Sequence, residues 1–363
     1  MKPYAWGRSP SVASGAGAAV PVGGRERRPR LMSGVAVVLG FAAASCGSDT
    51  PSSATVTDVS TPQAVSSQPE TTTSTRPETT VVASADGTLV YGRDVSGHAA
   101  DIYISAAGGT GETQLTTDPG FDACGTFTPD GAGVAFCSNR SGSLEIWMMN
   151  RDGTNQHQVT KIGGTSVFPE VSPDGTKIAF SGSPDANSPE GETDIWLINV
   201  DGSGLTQLTT AAGADAYATW SPDGTQLAWL SGRSGATEIW AMDADGANPH
   251  ALTTDATSKD QLPDWSPDGA KIAYESAGVC DPGKICPGHI FVMNADGTSP
   301  LQITSGTGDD FGPAWSPDAK RVAFVRTDGD SQYIYVVNAN GTDEQTLFSD
   351  GKYRVPDWIA GGS

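Results

Sequence analysis

Trp220-Ser221-Pro222-Asp223-Gly224, followed by Gln226-Leu227-Ala228-Trp229, Glu238-Ile239-Trp240 and Leu252-Thr253, is the stretch that decides the fold. Ser-Pro-Asp-Gly is turn chemistry: proline presets φ at the second position, and glycine accepts the positive φ that closes a hairpin. An alternating apolar strand follows, then a strand of acid, isoleucine and aromatic, and Leu-Thr ends the unit. The unit recurs at Trp265-Ser266-Pro267-Asp268-Gly269 and Trp315-Ser316-Pro317-Asp318-Ala319. Variants stand at Phe127-Thr128-Pro129-Asp130-Gly131 and Val171-Ser172-Pro173-Asp174-Gly175, with a degenerate copy at Ser84-Ala85-Asp86-Gly87. The turn aspartates are spaced 44, 44, 49, 45 and 50 residues apart, a period that fits four short strands and their turns.

Six such units, with no helical period anywhere, bury both faces of their sheets only by stacking radially. The sequence therefore predicts an all-β, six-bladed β-propeller over residues 83–360, with four antiparallel strands per blade. Pro356-Asp357-Trp358 matches the start of a unit with no turn after it, and is expected to close the ring as the inner strand of blade 1. Trp220, Trp265, Trp315 and Trp358 are expected in the core between blades rather than on a sugar-stacking surface.

These units resemble the WD40-like repeats of the TolB β-propeller family: a Trp-Ser-Pro-Asp-Gly turn, then Ile-Ala-Phe, Ile-Trp/Tyr and Leu-Thr. The resemblance covers about 84–359. It implies an interaction protein of the cell envelope, because the family's members outside the cytoplasm are mostly of that kind.

Ahead of the repeats, Arg25, Arg27, Arg28 and Arg30 precede the apolar run Leu31–Ala44 and Ala43-Ala44-Ser45-Cys46. This reads as a signal peptide over 1–46. Its end resembles the lipobox of bacterial lipoproteins, with Ala43 where leucine is usual, and implies lipidation (palmitate) of Cys46. Residues 47–82, rich in Ser, Thr and Pro, read as a disordered tether. The expected location is outside the cytoplasm, lipid-anchored on the outer or periplasmic face of a membrane.

The chain carries five cysteines. With Cys46 acylated, four remain for two local bridges, Cys124–Cys137 and Cys280–Cys286, as suits an oxidising compartment. Net charge is −21, and residues 84–363 hold 14 Lys and Arg against 37 Asp and Glu. Such a field repels nucleic acid and attracts cations or basic protein surfaces. No nucleic-acid partner is expected, and a monomer is.

A search for chemistry finds no Gly-x-Ser-x-Gly elbow, no phosphate-cradling loop and only four histidines, at unrelated places in the repeat. The reading is non-catalytic: a scaffold that binds an envelope protein or peptide at the channel mouth, with no cofactor. The alternative is a hydrolase or metal-dependent lyase on the same kind of propeller. Five residues before the aromatic that opens each unit stand Asp122, Asp215, Asp260 and Asp310, with Ser166 and Tyr353 in the other two. Radial repetition would set these carboxylates in a partial ring, able to hold Ca²⁺ or a partner's Lys or Arg. The competing expectation is that each caps a tight turn through its own backbone. Phe168, Tyr217, Phe311 and Tyr353 are expected near the same mouth, as a partner-binding rim or as plugs between blades.

Overall fold

Six four-stranded antiparallel sheets account for every strand of the computed structural model, which describes residues 87–94, 100–185, 192–279, 285–349 and 351–360. The inner strands of blades 2 to 6 are Asp122–Phe127, Thr165–Val171, Asp215–Trp220, Ser258–Trp265 and Asp309–Trp315. In each of these blades the strands pair in chain order. Blade 1 takes its inner strand, Asp357–Ile359, from the far end of the chain, with Trp358 opposite Leu89. The expected propeller and its closure are both present. The signal segment with Cys46, the tether and Cys280 lie outside the described residues.

The turn works through its side chains. Ser221 Oγ donates to Asp223 Oδ1 at 2.7 Å, the same carboxylate oxygen accepts the Thr225 N–H at 3.0 Å, and Ser221 Oγ accepts the Gln226 N–H at 2.9 Å. Gly224 takes φ 70°, and Ala319 holds the matching place in blade 6 at φ 57°. The closing Leu-Thr is equally mechanical. Thr160 Oγ1 accepts the Ile146 N–H at 2.8 Å and donates to Glu145 Oε2 at 2.5 Å, and Thr116 and Thr209 repeat the arrangement with Asp101 and Asp194. The acid before isoleucine thus anchors the outer strand.

Second and third strands pair one aromatic directly against another, as in Phe136 with Trp147, Trp229 with Trp240 and Tyr274 with Phe291. The tryptophans that open the units pack on the blade before: Trp220 against Ala179 and Ile195, Trp265 against Ala228 and Ile239, Trp315 against Ala273 and Ile290. All are buried, and two reach across with their indole N–H, Trp220 to the Glu170 carbonyl at 3.2 Å and Trp315 to that of Asp264 at 3.1 Å. These contacts set the angle between blades, and therefore the width of the space they enclose.

Candidate functional site

In blades 2 to 6 the inner strand is broken by a bulge, whose residues Cys124, Phe168, Tyr217, Leu262 and Gly312 have φ of 55°, 53°, 56°, 54° and 61°. A bulge turns extra side chains off the sheet face and frees backbone groups from the ladder. Proline follows at Pro169, Pro263 and Pro313, where a missing N–H costs the ladder nothing. In blade 4 the freed Tyr217 N–H is taken up by Ser181 Oγ of blade 3 at 2.9 Å. The glycine of blade 6 is required, because a Cβ on Gly312 would come within 2.6 Å of Val355. Cys124 is bridged to Cys137 across a Cα separation of 5.6 Å, as expected. Cys286 is also disulfide-bonded.

These bulges surround an axial cavity of about 520 Å³. Phe168, Tyr217, Leu262, Phe311 and Val355 form an apolar collar, with the Phe168 and Tyr217 rings 4.1 Å apart. Of the four aromatics expected at the mouth, Phe168 and Tyr217 are half-buried and face the cavity, and Phe311 lines it from blade 6. Tyr353 reaches the wall too, but its ring is only 1% exposed and packs on Tyr91 and Phe348.

Two residues beyond each bulge the chain presents Thr126, Glu170, Thr219, Asp264, Ala314 and, in blade 1, Asp357. Acid stands on alternate blades, and the three carboxyls face the cavity. Thr126 Oγ1 lies 3.2 Å from Glu170 Oε2 and 3.1 Å from Asp357 Oδ2, which also accepts the Phe127 N–H at 2.8 Å. Asp264 Oδ2 accepts the Trp315 N–H at 2.8 Å. Burial pushes Asp264 up to about 8, against that hydrogen bond and with the Asp357 charge adding to it. Burial raises Glu170 well above the carboxylate range, helped by Asp357 and Asp264, and raises Asp357 as well. Nearer the mouth, Glu275 is 4% exposed; its Oε1 accepts from Gln261 Nε2 at 2.8 Å and its Oε2 has no partner. Burial moves it to about 8, with Asp309 and Asp310 contributing.

Sequence reasoning missed this inner set. The signal stands one residue before the residue that opens each unit, where acid occurs in three units of six. The position five before the opening residue behaves differently from either expectation. Asp122, Asp215 and Asp310 are fully buried away from the cavity wall, each in an ion pair: Arg140 at 2.6 Å, Arg233 at 2.9 Å and Arg326 at 2.5 Å. Asp260 is 3% exposed and takes a hydrogen bond from Ser276 Oγ at 2.6 Å. They form neither an open ring nor caps of their own turns, because arginines from the same blades reach three of them first. Among the described residues no three His, Cys, Asp or Glu side chains converge as a metal shell.

Residues 52–188 and 185–286 match the TolB beta propeller domain family. Over 54 residues, 15% of this chain, it is 43% identical to the Tol-Pal system protein TolB of Bordetella pertussis, a match spanning 12% of that protein. The TolB structure from Acinetobacter baumannii superposes with a TM-score of 0.65 at 20% identity, over 75% of this chain and 66% of that one. For a putative TolB from Agrobacterium tumefaciens the TM-score is 0.57 at 21% identity, over 75% and 92%. At these identities the structural likeness is one of fold.

Proposed function

The chain belongs to the TolB beta propeller domain family, and from that premise we propose that it is a non-catalytic envelope scaffold whose axial cavity receives a peptide segment of a protein partner. The observation that carries this reading is the cavity itself: an apolar collar at Phe168, Tyr217 and Leu262 stands over three carboxyls at Glu170, Asp264 and Asp357. Collar and carboxyls together suit an extended segment with an aromatic or aliphatic anchor and polar or basic neighbours. A cavity of this size takes a few side chains and not a folded domain. The relatives named for the Tol-Pal system support an envelope partner. Export, with a lipid on Cys46 and residues 47–82 as a tether, belongs to the same reading and would hold the propeller within reach of other envelope proteins.

The test is photo-crosslinking in intact cells from a benzophenone amino acid at Phe168, with Leu205, an exposed side chain just before the outer strand of blade 3, as the comparison site. A discrete envelope adduct from position 168 and none from 205 is expected. Equal labelling at both positions, or none at 168, contradicts the reading.

A further inference from the structure

Three blades hold a guanidinium in the same way. In blade 2 the Arg140 carbon lies 5.3 Å from the Phe136 ring centre and 5.0 Å from that of Trp147, while the side chain pairs with Asp122. Arg233 in blade 4 repeats this over Trp229 and Trp240 at 5.2 and 4.8 Å, and Arg326 in blade 6 over Phe324 and Tyr335 at 5.3 and 4.8 Å. In blades 2 and 4 the arginine Nε also donates to a serine, Ser138 or Ser231, at 2.8 Å. That serine is the cross-strand partner of the aspartate in each case.

Blade 5 keeps every part of this arrangement except the arginine. Asp260 is paired in register with Ser276, and Tyr274 faces Phe291 with ring centres 5.8 Å apart, against 6.4 Å for the rings of blade 4 and 5.6 Å for those of blade 6. Two residues beyond the serine, where Arg140 and Arg233 stand, the chain has Gly278; in register, where blade 6 has Arg326, it has Ser276. Blade 3 lacks both members of the pair: Ser166 stands in place of the aspartate with Gly182 opposite it in register, and Ser166 Oγ donates to Glu145 Oε2 at 3.1 Å. Blade 1 has Tyr353 there, and its Arg93 pairs with Glu112. Among the described residues no Lys, Arg or His side chain forms an ion pair with Asp260.

We propose that blade 5 carries a receptor slot for an arginine side chain of a protein partner, held by Asp260 and Ser276 and stacked on Tyr274 and Phe291. Arginine is specified over lysine because a planar fork satisfies the carboxylate and the serine together while lying on two rings. In blade 5 Asp260 and Tyr274 are 3% and 4% exposed while Ser276 and Phe291 are half-buried, so the slot meets solvent along its Ser276 and Phe291 edge. The strongly negative chain draws a basic segment to it. The slot lies outside the cavity wall and rests on the partner-binding reading only for the source of the arginine; its own test needs the chain alone.

That test is an NMR titration of the purified chain with Nα-acetyl-arginine methylamide, and with the citrulline and lysine analogues, following the Tyr274 and Phe291 ring signals. Saturable shifts are expected with the arginine compound, weaker ones with lysine and none with citrulline. Asp260→Asn weakens binding about tenfold or more. Ser276→Arg copies blade 6, abolishes probe binding and raises the melting temperature. Lys284→Ala removes the one basic residue of 280–284 and leaves binding unchanged. Absence of saturable binding, undiminished binding in Asp260→Asn or in folded Ser276→Arg, or binding that appears only in Lys284→Ala, overturns the proposal.

Discussion

Asp264 shows how a single side chain ties the cavity to the stability of the whole chain. Its carboxyl titrates near 8 in the fold because burial disfavours the charge, and near 4 in the unfolded chain. Between those values the native state holds a proton that the unfolded state has lost, so the stabilisation is complete below about 4 and fades as pH rises through 8. Glu275 acts with the same sign. The unfolding free energy from urea melts should therefore fall from pH 5 to pH 8.5, by on the order of 1–2 kcal/mol for each group after allowing for relaxation around it. Asp264→Asn should flatten the profile and be the more stable form at pH 8.5; a midpoint that rises across this window contradicts the assignment. A second test is Ala319, which sits at φ 57° where the other strong repeats place glycine. Ala319→Gly should stabilise by about 0.5–1 kcal/mol, read from denaturant melts, since only glycine takes that conformation without strain. Both the Asp of the turn and the position of Ala319 were legible in the sequence. The partners of Asp122, Asp215 and Asp310 were not, because their arginines follow after 18, 18 and 16 residues and come from a turn in two blades and a strand in the third.

At the scale of the strand, period and turn chemistry were enough to place the repeats, and the closing role of Pro356-Asp357-Trp358 followed from its match to a unit start. The bulges were hidden. Nothing in Phe168-Pro169 or Leu262-Pro263 alone distinguishes a bulged inner strand from an edge strand that tolerates proline, and the bulge decides which side chains meet on the axis. The tryptophans that open units pack on the preceding blade, so Trp315→Ala should cost about 3–5 kcal/mol by its cavity alone, with loss of the indole bond to blade 5 adding to this. The bridge from the bulge of blade 2 closes a short loop of sequence separation 13. The Cys124→Ser, Cys137→Ser double variant should lose about 2–3 kcal/mol in chemical denaturation; no loss would mean that the bridge merely decorates a bulge already fixed by packing.

For the molecule as a whole, the ring is held shut by three residues, Asp357–Ile359, paired to the first described strand. Trp358 from this segment joins the core between blades 6 and 1, and Asp357 supplies one of the three cavity carboxyls. Closure and site are therefore built by the same short strand. The central claim is that the collar of this cavity is where a partner segment is held, and Leu262→Trp tests it most directly. Residue 262 lies on the collar at a conformation that Phe168 and Tyr217 share, so a larger ring fills the cavity without entering the core between blades. The measurement is quantitative co-purification from cell envelopes of the protein crosslinked at position 168, comparing wild type, Leu262→Trp and Leu205→Trp. The account predicts that Leu262→Trp folds with an unchanged melting temperature and loses the partner, while Leu205→Trp keeps it. Full retention of the partner by a folded Leu262→Trp chain would contradict it.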